Sequence, residues 1–180
     1  MKATERRKKI LSLLRESPYP LAANYLAKEF GVSRQVIVGD VALLRAEGEA
    51  VLATPRGYLL QSSLPSTEGA YIRKIACQHG PEEVEKELTI LLEGGAQILD
   101  VEIEHPIYGL LSGKLNIASL EDRDHFLDAL GQYQGVLLSN LTEGVHSNLT
   151  EGVHTHTVSF PSVQAYNELS AALKHAGILL

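Results

Sequence analysis

Residues 21–48 read LAANYLAKEFGVSRQVIVGDVALLRAEG. Two apolar stripes at helical spacing, Leu21, Tyr25, Leu26 and Phe30, then Val36, Ile37, Val41 and Leu44, stand on either side of Gly31-Val32-Ser33. Residues three and four apart share one face of an α-helix, so each stripe predicts a helix with one buried side. Gly31 supplies the tight turn between them, because glycine enters left-handed backbone space without a Cβ penalty. Ser33 predicts the cap of the next helix, its hydroxyl satisfying an otherwise unpaired N–H. Upstream, ERRKKILSLLRES places Ile10, Leu13 and Leu14 at helical spacing, and Pro18 and Pro20 end that helix. Downstream, EAVLATPRGYLL predicts two short strands around Thr54-Pro55-Arg56-Gly57, a hairpin with a basic tip.

This order of helix, helix–turn–helix and wing resembles the winged helix-turn-helix family of bacterial regulators, and L-A-x-x-F-G-V-S-R-Q-x-I at residues 26–37 is the run that carries the likeness. The resemblance covers nearly all of residues 1–61 and implies a double-stranded DNA operator as partner, with the third helix in the major groove. Arg34 and Gln35 are then the base readers, because Arg matches guanine and Gln matches adenine bidentately. Lys28, Ser33 and the wing residue Arg56 would hold phosphates.

Charge divides the chain at the same place. Residues 1–61 hold 10 Lys+Arg against 6 Asp+Glu, a net +4, whereas residues 62–180 hold 6 against 16, a net −10. Only the head is suited to meet a polyanion. Composition is that of an ordinary globular protein, 44% hydrophobic and 21% charged. No apolar run approaches the roughly 20 residues that span a bilayer, and MKATERRKK lacks the apolar core of a signal peptide. The single cysteine, Cys77, fits a reducing compartment. A cytoplasmic protein without membrane contact is expected. In that setting the glycosylation-like triplets Asn140-Leu141-Thr142 and Asn148-Leu149-Thr150 are coincidental.

Residues 62–69, short and polar with one proline, predict a linker, and residues 70–180 a second domain. There YIRKIACQH predicts a strand ending at His79, and Pro81 opens a helix, PEEVEKELTILLEGG, closed by Gly94-Gly95. AQILDVEIEHPIYG predicts a strand with Leu99, Val101, Ile103 and His105 on one face and Asp100, Glu102 and Glu104 on the other. Ser119 caps LEDRDHFLDALGQY, and Asp122 favours that start. HTHTVSF is a strand, and SVQAYNELSAALKHAG is the last helix. Alternating strands and helices predict an α+β sandwich whose strand order the pattern leaves open.

The histidines separate by face. His105 continues an apolar strand face, His79 shares one with Ile75 and Cys77, and His154 and His156 share one with Val158 and Phe160. The last two have Cα atoms roughly 6.6 Å apart at a strand rise of ~3.3 Å per residue, within reach of one ion at about 2.1 Å. A carboxylate from the helix after His79 would complete a ligand set. Glu85 and Glu87 border its Val84/Leu88/Leu91 stripe on opposite sides, and periodicity does not choose between them. His125 lies off the apolar stripe of its helix, and His175 sits in the last turn of the final helix.

The strand HTHT follows a tandem duplication: SNLTEGVH occupies 139–146 and again 147–154, and only the second copy runs on into Thr155-His156. The first copy offers one imidazole, His146, without a partner on the same face. It reads as a lengthened loop, which costs little in closure entropy.

His79-Gly80, then Glu104-His105-Pro106-Ile107-Tyr108-Gly109, then Gly152-Val153-His154-Thr155-His156-Thr157, taken together, resemble the three-histidine (3H) domain. Behind a winged helix, that domain is the architecture of the niacin-responsive transcriptional repressors, and the likeness spans nearly the whole chain. It implies a homodimeric repressor of niacin uptake or NAD-precursor genes, not an enzyme, with nicotinic acid as co-repressor. It implies a metal site of His79, Glu87, His154 and His156, with His105 in the effector pocket. Nickel or zinc is the foremost expectation, with iron or manganese next. Tyr108, beside His105, is the expected wall for a pyridine ring. The rival reading is a metalloregulator whose signal is the ion itself.

Overall fold

Gly31 has φ 63° and begins the three-residue turn, Gly31 to Ser33, between α2 (Ala23–Phe30) and α3 (Arg34–Ala46). In this computed structural model, which describes residues 2–64, 70–132 and 152–180, the chain divides into two units, Met1–Ser66 and Thr67–Leu180. Residues 65–69 of the expected linker, His146 and nearly all of the SNLTEGVH duplication lie outside the described residues.

In the first unit, α1 (Ala3–Glu16), α2 and α3 bury Ile10, Leu14, Leu26, Ile37, Val41 and Leu44 in one core. The Ser33 hydroxyl accepts from the Val36 N–H at 3.3 Å, the cap its position predicts. Strands β1 (Val51–Thr54) and β2 (Gly57–Leu60) form the hairpin. Two expected core residues are surface instead: Tyr25 is 50% exposed and Val36 38%. Leu21 is not helical at all. It exchanges backbone hydrogen bonds with Tyr58, Leu21 N–H to O at 2.8 Å and Tyr58 N–H to O at 2.9 Å, and so extends the wing by one pairing. With Leu21 outside α2, the buried side of that helix turns to Leu26 and Ala27, which carries Tyr25 outward. Val36 lies one residue off the stripe set by Ile37, Val41 and Leu44.

The periodicity gives no hint of Asp40, 4% exposed on α3 and bonded to Arg6 Nε at 2.6 Å with Arg7 Nη1 at 3.8 Å. Arg45, though exposed, donates from Nε to the Val51 carbonyl at 2.7 Å and lies over the Tyr58 ring. Arg6, Arg7 and Arg45 therefore bind within the head, as does Arg15, 3.7 Å from Glu49. Asp40→Ala would leave Arg6 and Arg7 facing a buried gap, and we expect thermal melts to show a loss of about 3 kcal/mol; an unchanged melting temperature would make the pair neutral.

The second unit is one antiparallel sheet with helices on one face. Its strands are β3 (Tyr71–Gln78), β4 (Gln97–His105), β5 (Gly109–Ile117) and β6 (Val153–Phe160), in the order β3-β6-β4-β5. Helices α4 (Val84–Glu93), α5 (Leu120–Gln132) and α6 (Val163–His175) cover the face that bears Ile75, Ile98, Ile117, Val158 and Phe160. A short 3-10 turn, Pro81–Glu83, leads into α4. The other face carries cross-strand pairs, Lys74 to Glu102 at 2.6 Å and Lys114 to Asp100 at 3.0 Å. The architecture of this unit is α+β, one layer of sheet and one of helices. Ser119 and Asp122 cap α5 reciprocally: Ser119 accepts from the Asp122 N–H, and Asp122 from the Ala118 N–H, both at 3.1 Å. Ser162 caps α6 from one side only, its hydroxyl accepting from the Ala165 N–H at 3.1 Å.

Two features depart from the pattern. The strict alternation over 97–105 fails at Leu99. Ile98 opposes Val158 and Asp100 opposes Thr157, so Leu99 is an extra residue and Ile98 takes its place on the core face. A bulge of this kind re-aims the backbone around it. Strand β5 pairs with β4 along its length yet carries no clean alternation, and the pattern does not reveal it.

Candidate metal centre

Alternation along β6 sends His154 and His156 to the helix-covered face, opposite Cys77 and Ile75 of β3 in the cross-strand register. His79 follows β3 directly and continues the same side. Helix α4 lies over them with Val84, Glu87, Leu88 and Leu91 buried, so a carboxylate occupies a stripe position where an apolar side chain would ordinarily pack. Glu87 is 1% exposed, whereas Glu85 is exposed. The three imidazoles converge on this one group. His79 Nε2 lies 2.6 Å and His154 Nε2 3.3 Å from Glu87 Oε2, and His156 Nε2 lies 3.5 Å from Oε1. The rings stack edge to face, His79–His154 at 4.8 Å and His154–His156 at 4.9 Å between centroids.

The far side of each ring assigns the protons. Nδ1 of His79, His154 and His156 meets the carbonyls of Gly80, Gly152 and Asp100 at 2.8, 2.8 and 2.7 Å. A carbonyl only accepts, so each Nδ1 carries the hydrogen, and a neutral ring turns the Nε2 lone pair toward Glu87. The carboxylate also only accepts. Three lone pairs around an anion leave no donor between them unless the rings are protonated or a cation sits there. Burial opposes charge on Glu87, but the histidine hydrogen bonds overcome it and hold its carboxyl well below the usual carboxylate range. Burial likewise pulls His79 and His156 down, and the Glu87 hydrogen bond and charge outweigh it and raise both. Glu87 Oε1 is buried without a hydrogen-bond partner. This donor set fits a divalent transition ion: imidazole nitrogens fixed from behind, one carboxylate, and an orphaned oxygen.

The bulge bears on the site, since Asp100, next to Leu99, presents its carbonyl to His156. Gly152 bears on it twice. Its carbonyl holds His154, and at φ 80° it is packed so closely that an added Cβ would collide with the His79 carbonyl. Gly152→Ala is expected to weaken metal binding by about 10- to 100-fold, as loss of an outer hydrogen-bonding partner does. Competition against a chromophoric chelator reads that change, and wild-type affinity would show that neither contact matters.

His105 is buried but differently employed. Its Nδ1 accepts from the N–H groups of Ile107 at 3.1 Å and Tyr108 at 3.2 Å, so it braces the turn between β4 and β5. Tyr108 lies beside it, 4.9 Å between centroids, and is 72% exposed. Strands β4 and β6 pair as far as Glu102 and Thr155. At that end a cleft of about 480 Å³ opens, lined by Glu102, Glu104, Pro106, Leu110, Val153 and His154 among others. His154 is the one residue of the centre in its lining. Glu104 is exposed, His125 lies 3.9 Å from Glu121 on the surface, and His175 is exposed at the end of α6. Cys77 escapes a reading based on histidines. Its signal was available, two residues before His79 on the same strand face.

In the first unit Lys28, Ser33, Arg34, Gln35 and Arg56 are all exposed. Arg34 and Gln35 open α3, and Arg56 sits in the wing turn, where its N–H donates to Thr54 Oγ1 at 3.3 Å. Val36 joins the same exposed end of α3.

Known proteins agree with this layout. Residues 6–59 match an HTH domain family and residues 72–148 match the 3H domain family. The chain is 37% identical over 175 residues to the transcription repressor NadR of Bacillus subtilis, covering 97% of this chain and 93% of that protein. It is 36% identical over 176 residues to the probable transcription repressor NiaR of Thermotoga maritima, covering 98% and 94%. The 3H match ends at residue 148, inside the duplicated unit, so His154 and His156 stand on geometry. Among the described residues no helix is long and apolar enough to cross a membrane.

Proposed function

Because this chain belongs to the NadR/NiaR family of transcription repressors, with an HTH domain ahead of a 3H domain, we propose that it represses genes of niacin uptake or NAD-precursor supply, with nicotinic acid as co-repressor. The observation that carries the reading is the buried Glu87 carboxylate ringed by three histidine Nε2 atoms. Nicotinate is an anion, yet residues 62–180 carry a net −10. A divalent ion held by His79, His154, His156 and Glu87 would leave one positive charge, since three neutral imidazoles add nothing and the carboxylate subtracts one. That charge gives a carboxylate somewhere to bind in an otherwise acidic domain. The cleft at His154 offers the space, with Pro106 and Leu110 as apolar lining for the ring and His105 bracing the adjacent turn.

The head would contribute Arg34 and Gln35 to base edges and Lys28, Ser33 and Arg56 to phosphates. A homodimer would set two α3 helices on successive major-groove turns, about 34 Å apart. Effector then favours repression only by binding that arrangement better than its alternatives.

The test is binding to the chain's own upstream DNA at fixed salt, with metal-loaded and metal-stripped protein, each with and without nicotinic acid. Fixed salt matters because phosphate contacts make affinity steeply salt-dependent. Tightening of at least about tenfold, worth about 1.4 kcal/mol of coupling, is expected for the loaded protein alone. No response to nicotinic acid in loaded protein would sink the co-repressor reading. A response to the ion by itself would favour the metalloregulator, to which the same buried cluster lends support.

A further inference from the structure

We propose that Cys77 is a ligand of the same centre, so that this chain holds its ion with a thiolate beside the Glu87 carboxylate and the histidines; the inference rests on the metal reading above. The position follows from register. Cys77 stands directly opposite His154 across β3 and β6, and opposed residues of an antiparallel pair project to one face with Cβ atoms about 4.5–5.5 Å apart. Helix α4 lays Glu87 over that face. Ligand atoms of Cys77, Glu87 and His154 consequently lie within 4.8 Å of one another, all three residues buried. Glu87 Oε1 supplies a second and separate sign. It is buried without a hydrogen-bond partner, the His156 Nε2 standing off at 3.5 Å, on a side chain 2% exposed in the same cluster. Buried acceptors are satisfied in folded proteins, and here a cation between Sγ, the carboxylate and the imidazoles satisfies it.

A thiolate changes what the centre takes. Sulfur with imidazole selects zinc, cobalt or copper-like ions over manganese and magnesium, which prefer oxygen. Ligation forms one sulfur–metal bond and releases the thiol proton to solvent, with no exchange of electrons. Thiolate and carboxylate together cancel a divalent charge, so an effector carboxylate and Cys77 compete for the ion. The ligand is therefore sought in the effector-free state.

The experiment loads metal-stripped, full-length protein with one equivalent of cobalt(II), in buffer free of thiols and of nicotinic acid, and records the absorption spectrum. Bound cobalt shows weak visible ligand-field bands whatever its donors, and a thiolate donor adds an intense near-ultraviolet charge-transfer band. The chain has a single cysteine, so that band in the wild-type protein assigns Cys77 without any variant. We expect both sets of bands, with the near-ultraviolet band lost and the visible ones kept in Cys77→Ser. Visible bands without charge transfer in the wild-type protein would overturn the thiolate ligand and leave the metal centre standing. No visible bands, with no cobalt retained through gel filtration, would overturn the centre and the thiolate together.

Discussion

Glu87→Ala is expected to weaken divalent metal binding by at least about 100-fold, the upper end for loss even of an outer partner. Glu87 is the anion on which His79, His154 and His156 converge, and its removal takes the one negative charge from the ligand set. The exposed Glu85→Ala is the matched control and should bind metal like the wild type. Metal content after gel filtration, with chelator competition, separates the two. Loss in Glu85→Ala with wild-type binding in Glu87→Ala would place the ligand on the other side of the helix. The same variant should abolish any nicotinic acid effect on operator binding.

Acidity acts on the same residues. Burial favours neutral rings, but Glu87 raises His79 and His156 above the ordinary histidine value of 6.5. An ion must displace those protons, so metal affinity should fall as pH drops through a range beginning above 6.5. For the metal-free protein the signs run the other way. Raised histidines stabilise the fold below their unfolded pKa and lose that contribution as pH rises through the raised folded values. Lowered Glu87 stabilises it above the ordinary carboxylate range and loses that only as pH falls through its depressed value. Glu87→Gln removes the cause of both shifts and should flatten both dependences.

Arg34→Ala is expected to cost about 1–3 kcal/mol of operator affinity and to relax sequence preference at one base, because a bidentate base contact carries that much discrimination. Gln35→Ala should behave alike at a neighbouring position. Both side chains are exposed at the start of α3, where the Ser33 cap holds the first turn in place. Lys28→Ala and Arg56→Ala should weaken all DNA sequences nearly equally and reduce the salt slope by about one unit each. Titrating specific and scrambled duplexes across several salt concentrations separates the two classes. Equal loss on both duplexes with Arg34→Ala would move that residue among the phosphate contacts.

What could be read along the chain was local. The Gly31 turn, the Ser33 and Ser119 caps and the inward phase of HTHTVSF depend on residues within four positions of one another, and all are found as the pattern requires. The two-unit division follows from the charge change and the break in periodicity. Tertiary structure decided whatever depends on contacts between distant segments. Leu99 alternates correctly by itself, and only its pairing with β6 makes it the bulged residue. Tyr25 sits on an apolar stripe, but Leu21 leaves that stripe to pair with Tyr58, and α2 turns. Glu85 and Glu87 flank the α4 stripe symmetrically in sequence, and the strands beneath the helix select Glu87. Cys77 and His154 are 77 positions apart in the chain, and hydrogen-bond register across two strands is what brings their side chains to one face. Periodicity tells a residue which way to face on its own element; only the pairing of elements tells it what it will meet there.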